Sequence, residues 1–196
     1  MSFRPAPLET LPPAFASMGA QAQQDIGLLP NSVLTMVKRP ELARRVMGLA
    51  SYLASPDCTI DPELRMMVAY MSSYGAGCTY CQAHTSYVAN HNGVSPEKIA
   101  QLWQYERSEL FDDRERAALS LAFAAGQIPN AVDESHYDAL GEHFSQDEII
   151  DLVAVISIMG FFNRWNDTMG TKLEETPARQ ARALLAPSGW TVGRHA

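Results

Sequence analysis

The sequence is short of cysteines and of basic residues, and each shortage excludes a class of protein. Three cysteines among 196 residues are too few, and odd in number, for a disulfide scaffold. The 15 lysines and arginines are outnumbered by 22 acidic residues, which gives a net charge of -7. Nucleic acids and anionic membranes attract basic surfaces, so neither is expected as the main partner.

The sequence also has no long apolar run. The best candidate, residues 149–162, is interrupted by Asp151, and a membrane span needs about 20 apolar residues. The first fifteen residues, MSFRPAPLETLPPAF, contain several prolines and no apolar stretch typical of a signal peptide. We therefore expect a cytoplasmic protein that does not bind membranes.

Strand patterns are missing as well, because no segment alternates apolar and polar residues between hairpin turns. Beyond residue 15, almost every segment has a helical period. Helix starts are indicated at Asp61, Asp112 and Ser145, the last as a capping box with Glu148. The sequence predicts an all-α single domain, 1–196, of about seven to nine helices. It begins with an extended arm, 1–15, and ends in a tail, 171–196, with one short helix.

The stretch GAGCTYCQAH, residues 75–84, carries the most distinctive chemistry. Its glycines predict a break, with a new helix that starts at or near Cys78 and ends before Gly93. Residues three apart on a helix touch, so Cys78 and Cys81 can form a disulfide and His84 can lie beside Cys81. An imidazole there can accept a thiol proton. Proximity to the helix N-terminus by itself favours Cys78 as the more acidic thiol.

A redox-active dithiol has to be weighed against a zinc site and against inert packing. Structural zinc sites usually have four ligands, whereas Cys78, Cys81 and His84 supply three. Cys58 or His91 would have to provide the fourth, and nothing in the sequence requires it. We therefore predict a redox pair with no metal and no cofactor.

The segment IDPELRMMVAYMSSYGAGCTYCQAHT resembles the core helix pair of the alkylhydroperoxidase D and carboxymuconolactone decarboxylase superfamily. FFNRWNDTMG resembles the final helix of its peroxidase-related branch, and the resemblance covers residues 28–170. It implies an alkylhydroperoxidase D-like helical bundle that reduces hydroperoxides. By this resemblance Cys81 would attack the peroxide and become a sulfenic acid. Cys78 would resolve it to a disulfide, which an external dithiol or thiol protein reduces.

The sequence departs from the pattern of that family in its proton relay. The family's relay glutamate is replaced here by Met66, and Glu63, one turn earlier, is a candidate substitute. The family's histidine four places after the second cysteine is replaced by Thr85, while His84 stands one place earlier. Tyr80 occupies the position of a relay histidine between the cysteines, and its phenol can donate a hydrogen bond. The relay must therefore be built differently.

The predicted function is thiol-dependent hydroperoxide reduction, and the predicted catalytic residues are Cys78, Cys81, His84 and Tyr80. The alternatives are an acid–base enzyme like carboxymuconolactone decarboxylase and a non-catalytic redox sensor. The resemblance also implies a homo-oligomer: a dimer, trimer or hexamer. We interpret the polar end of the last long helix as a cluster of hydrogen bonds between helices; it contains Asn163, Arg164, Asn166 and Asp167.

Overall fold

A computed structural model describes residues 4–196, apart from the side chain of residue 25. These residues form ten α-helices and four short 3-10 turns, and no β-strand occurs among them. The predicted all-α class is confirmed. The helices are α1 (Ala16–Ile26), α2 (Asn31–Met36), α3 (Pro40–Leu53), α4 (Pro62–Ala76), α5 (Thr79–His91), α6 (Pro96–Ala100), α7 (Asp113–Gly126), α8 (Glu134–Gly141), α9 (Gln146–Met169) and α10 (Glu175–Leu184).

The N-terminal segment has little regular structure. Residues 1–3 of the predicted arm lie outside the described residues. Residues 4–12 contain no helix, and Pro13–Phe15 is a 3-10 turn. Phe15 is buried with Val33 and Met36 in a small apolar cluster beside α2 and α3.

Local start and stop signals explain most helix boundaries. The Asp61 carboxylate accepts the backbone N–H of Leu64 at the start of α4. Ser145 and Glu148 form the expected capping box of α9. Gly170 adopts a left-handed φ of 54° where α9 ends, a conformation that glycine tolerates best.

Helix α4 lies at the centre of the bundle and packs against α5, α7 and α9. Two glycines allow α4 and α7 to approach closely. A Cβ atom at Gly75 would collide with the carbonyl oxygen of Phe123, and one at Gly126 with that of Ser72. This close crossing fixes the end of α4, and therefore the position of the cysteine pair that follows it.

Helix α9 has a buried face and an exposed apolar face. Leu152 and Val155 are buried in the main core, whereas Ile150 is 65% exposed and Val153 and Phe161 are partly exposed. Within residues 4–196, no helix is both long and apolar enough to cross a membrane. Core packing therefore explains the apolar residues on the buried face of α9 but not those on its exposed face.

Candidate redox active site

The cysteine pair lies at the junction of α4 and α5. Gly77 ends α4 with a left-handed φ of 75°, and Cys78 is the N-cap residue of α5, as predicted. The Cys78 sulfur accepts the backbone N–H of Cys81 at 3.4 Å. The first sulfur thus occupies the position in which a capping side chain satisfies one free N–H group of the helix.

Both sulfurs are reduced and buried. Cys78 is 0% exposed and Cys81 is 3% exposed. The pKa of the Cys78 thiol is raised, chiefly by its hydrogen bond to the Cys81 sulfur and then by burial; His195 acts in the opposite direction. This shift is opposite in direction to the lowering that the helix N-terminus was expected to produce at Cys78. The Cys81 sulfur accepts a hydrogen bond from the Asn166 side-chain amide at 3.4 Å.

His84 and Tyr80 meet at a carboxylate that the sequence did not indicate. His84 Nε2 lies 2.6 Å from Glu174 Oε2, and the Tyr80 hydroxyl donates to Glu174 Oε1 at 3.1 Å. The backbone N–H of Asn31 donates to the same Oε1 atom. The Tyr80 and His84 rings stack with centroids 4.5 Å apart. Among the hydrogen bonds of the described residues, His84 is bonded to Glu174 rather than to Cys81.

Glu174 is held as a carboxylate by these donors. Burial acts to raise the pKa of Glu174, but the bond and charge of His84 and the Asn31 N–H outweigh it, so the pKa is lowered. Burial, followed by the charge of Glu174, raises the pKa of Tyr80 well above its usual value. Tyr80 therefore remains a protonated hydrogen-bond donor at neutral pH.

A second histidine–carboxylate pair lies beside Cys78. His195 is 1% exposed, and its Nε2 atom lies 3.1 Å from Asp167 Oδ1. One ligand-type atom from each of Cys78, Asp167 and His195 lies within 4.8 Å of the other two. Three such atoms are fewer than the four ligands of a structural zinc site, and both ring nitrogens of His195 are already in hydrogen bonds, to Thr171 and Asp167.

The other candidate residues lie away from the sulfurs. Glu63 is exposed in the first turn of α4, with its carboxylate next to Gly93 beyond the far end of α5. It cannot replace the relay glutamate at the cysteines, and Met66 packs against the main core. Cys58 is buried in the connection between α3 and α4, and His91 is exposed.

A cavity of about 270 Å³ adjoins the site between α4, α7 and α9. Its polar lining includes Ser72, Asn163 and Asp167, with Arg164 at its exposed edge. The Ser72 hydroxyl and both amide atoms of Asn163 are buried without a hydrogen-bond partner in the described residues. Buried polar atoms are nearly always paired with protein, water or ligand. The cavity therefore has the properties of a binding site for a small polar molecule.

Sequence reasoning missed Glu174 and His195, and it interpreted Asn166 and Asp167 as structural. The two missed residues lie in the predicted tail, 171–196, to which no function was given. Only the polar run near the end of α9 offered a signal, because charged and amide side chains interrupt an otherwise apolar helix there.

The fold and the site define an all-helical protein with a buried pair of reduced cysteines at the start of a helix. The profile described as the Carboxymuconolactone decarboxylase family matches residues 40–124. Uncharacterized protein YnjA of Escherichia coli is 30% identical over 167 residues, which cover 74% of this chain and 92% of YnjA. The chain therefore belongs to the carboxymuconolactone decarboxylase family.

Solved structures extend this similarity to nearly the whole chain. The debrominase Bmp8 in complex with 2,3,4-tribromopyrrole is 33% identical, with a TM-score of 0.88, over 94% of this chain and 98% of its own. A peroxidase-related protein from Ralstonia eutropha JMP134 has a TM-score of 0.74 at 23% identity, over 85% of this chain and 88% of its own. At that identity the likeness concerns the fold alone.

Proposed function

We propose that this protein is a dithiol-dependent reductase in which Cys78 and Cys81 together give two electrons to a small electrophilic substrate. The first candidate substrate is a hydroperoxide. The observation that carries the proposal is the pair itself: two reduced, buried sulfurs one helical turn apart, each bonded to a polar neighbour. That geometry supports reversible disulfide formation rather than a fixed structural link.

The reaction would start at Cys81. Because the raised pKa keeps Cys78 protonated, Cys78 can donate its S–H hydrogen bond to the Cys81 sulfur, which is then the nucleophile. Attack on the peroxide forms an S–O bond and breaks the O–O bond, and the leaving alkoxide takes a proton. The Cys78 sulfur then attacks Cys81 and forms the S–S bond. The hydroxide from Cys81 and the proton from Cys78 leave as water.

His84 would supply the proton to the leaving alkoxide. It follows Cys81 by one helical turn, where side chains three apart are neighbours. Glu174 fixes its ring through the 2.6 Å contact, and Tyr80 fixes Glu174. This network would take the place of the family relay that Met66 interrupts.

The substrate would enter through the cavity beside α9. Asp167 lines this cavity and also contacts His195 next to Cys78. Asn163 lies one turn before Asn166, whose amide contacts the Cys81 sulfur. The unpaired groups of Ser72 and Asn163 would then hydrogen-bond the substrate.

Peroxide consumption with a dithiol donor tests this function. We expect the wild type to reduce an alkyl hydroperoxide with dithiothreitol, and mass spectrometry to find a Cys78–Cys81 disulfide after one equivalent. Cys81→Ser should abolish turnover, whereas Cys58→Ser should retain it. Turnover by Cys81→Ser at the wild-type rate would refute the proposal. A disulfide that forms without sustained turnover would instead identify a redox sensor.

Reductive debromination is the second candidate activity, because the similarity to Bmp8 covers nearly the full length of both chains. In this reaction a carbon–bromine bond is replaced by a carbon–hydrogen bond, and bromide and one proton are released. The two thiols supply the electrons and become a disulfide. Bromide release from 2,3,4-tribromopyrrole with the same donor tests it. Release that persists in a Cys78→Ser, Cys81→Ser double variant would exclude the dithiol as the reductant. Turnover of a lactone acid, with both thiols unchanged, would identify an acid–base enzyme instead.

Two partners complete the proposal. An external dithiol or thiol protein would reduce the disulfide, and a second copy of the chain would cover the exposed apolar face of α9 at Ile150, Val153 and Phe161. Sedimentation of the wild type and of Ile150→Glu tests the second point. We expect a dimer or larger oligomer that dissociates in the variant; a monomeric wild type would refute it.

A further inference from the structure

His195 lies in the 3-10 turn Gly193–His195, which is fastened to the start of α10. The backbone N–H of Leu173 donates to the His195 carbonyl oxygen at 2.8 Å. The side chain of His195 is almost fully buried. Thr79, the residue after Cys78, also holds this segment: its hydroxyl donates to the Val192 carbonyl oxygen at 3.4 Å, and its carbonyl oxygen accepts from Trp190 Nε1 at 3.0 Å.

Both ring nitrogens of His195 face hydrogen-bond acceptors. Nδ1 lies 2.8 Å from the carbonyl oxygen of Thr171, and Nε2 lies 3.1 Å from Asp167 Oδ1. A carbonyl oxygen can only accept, and so can an ionised carboxylate. Hydrogens on both nitrogens satisfy both contacts at once, and this is the protonation of an imidazolium.

The surroundings favour this charged form. Burial acts against it, but the bonds to Cys78, Thr171 and Asp167 outweigh burial, and the pKa of His195 is raised. The Tyr80 ring also faces His195, with centroids 5.6 Å apart, and its phenol stays protonated. Cys78 contributes a thiol from α5, and Asp167 contributes the carboxylate from α9.

We propose that His195, held as an imidazolium by Asp167 and Thr171, is the catalytic partner of Cys78 and stabilises negative charge on its sulfur whenever the disulfide forms or breaks. The inference rests on the proposed dithiol chemistry. It assigns His195 to Cys78, whereas the proposed function assigns His84 to the proton transfer that follows attack by Cys81.

The proposed role has a defined place in the reaction. As Cys78 attacks the Cys81 sulfenic acid, the S–S bond forms, the S–O bond breaks and water carries away the Cys78 proton. Positive charge beside Cys78 lowers the free energy of the thiolate character that develops in this step. During reduction by an external dithiol, the same charge stabilises Cys78 as the leaving thiolate, and leaving groups of lower pKa depart faster.

A thiolate titration tests the pairing without any substrate, so it can fail or succeed independently of the proposed function. The Cys81→Ser background removes the chief cause of the raised Cys78 pKa. There, absorbance at 240 nm reports the Cys78 thiolate, with a Cys78→Ser, Cys81→Ser double variant as baseline. Loss of a neighbouring opposite charge shifts a pKa by about 1 to 3 units, so His195→Gln should raise the Cys78 midpoint by about that amount. An unchanged midpoint would overturn the proposal.

Nuclear magnetic resonance of the ring nitrogens keeps the proposal testable if His195→Gln does not fold. In the wild type, we expect both nitrogens of His195 to be protonated at pH 7. A neutral ring at that pH would overturn the proposal.

Kinetics give the last readout, with His91→Gln as control because His91 is an exposed histidine on the same helix as Cys78. His195→Gln should slow disulfide formation about tenfold or more and leave formation of the sulfenic acid unchanged, so that a dimedone adduct accumulates on Cys81. Equal slowing of both steps would indicate a structural role and overturn the assignment.

Discussion

Two histidine–carboxylate pairs contact the Tyr80 ring through their histidines, and they differ in how firmly their carboxylates are held. Glu174 accepts bonds from His84, Tyr80 and the Asn31 backbone, and its side chain is 16% exposed. Asp167 contacts His195 and also lines the cavity, and its side chain is 33% exposed. The first carboxylate connects three helices, whereas the second is available to a bound molecule. The two pairs thus differ in accessibility: one carboxylate is fully engaged by protein donors, and the other is open to the cavity.

Truncation of the two carboxylates should give the largest difference in stability between the two pairs. Glu174→Ala leaves buried donors unpaired, so we expect the free energy of unfolding to fall by about 3 kcal/mol. Asp167→Ala should cost less, about 1 kcal/mol, because the His195 ring can release one proton once its charge has lost its partner. Urea denaturation measures both. Glu175→Ala is the matched control, because its ion pair with Arg182 is exposed and contributes little. Equal losses at Glu174 and Asp167 would remove the distinction.

The two pairs should also lose their stabilising contributions to folding at opposite ends of the pH range. Because the folded pKa of Glu174 is lowered, its stabilisation is present above the unfolded value, about 4.3, and is lost as pH falls through the folded pKa. Because the folded pKa of His195 is raised, its stabilisation is present below about 6.5 and is lost as pH rises through the folded pKa. Stability should therefore depend on pH in opposite directions at the two pairs.

Unfolding free energies measured from pH 3 to pH 9 test this contrast. The difference between the wild type and Glu174→Gln should shrink in acid, and the difference between the wild type and His195→Gln should shrink in alkali. If both differences shrank at the same end of the range, the assigned charge states would be wrong.

The smallest effect on stability is expected at Asn163, whose amide has no partner in the described residues. Replacement of an unpaired buried amide by an apolar group is nearly neutral, so Asn163→Leu should change the free energy of unfolding by less than about 1 kcal/mol. If Asn163 binds the substrate, KM should rise about fivefold, which corresponds to the loss of one hydrogen bond. Asn166→Leu provides the comparison, because that amide contacts the Cys81 sulfur. An unchanged KM in Asn163→Leu would show that the substrate binds at another site.

The sequence predicted those features that depend on short-range interactions. Asp61, Ser145 and Gly77 act within one helical turn, so the helix boundaries and the placement of Cys78 at the start of α5 could be predicted. Helical geometry likewise relates Cys78 to Cys81. The number of helices was harder, because α1 has no capping side chain at its start.

The electrostatics of the dithiol could not be predicted in the same way. The helix N-terminus favours an acidic Cys78, but the hydrogen bond to the Cys81 sulfur and then burial raise the pKa of Cys78, and the burial is a consequence of packing. The same limit applies to Glu63. Glu63 lies on the helix that carries the family's glutamate. However, it is in the first turn of α4, and the sulfurs follow the last turn of that helix.

By itself, then, the sequence determined an all-helical chain with a cysteine pair at a helix start, because helix periodicity and capping act over a few residues. Only the tertiary structure decided which acids and bases surround the sulfurs. Glu174 reaches His84 across 90 positions of sequence, and His195 reaches Cys78 from the last turn described. Such contacts exist only because α10 and that turn pack against α5, and hydrogen bonds between distant residues leave no periodic trace in a sequence.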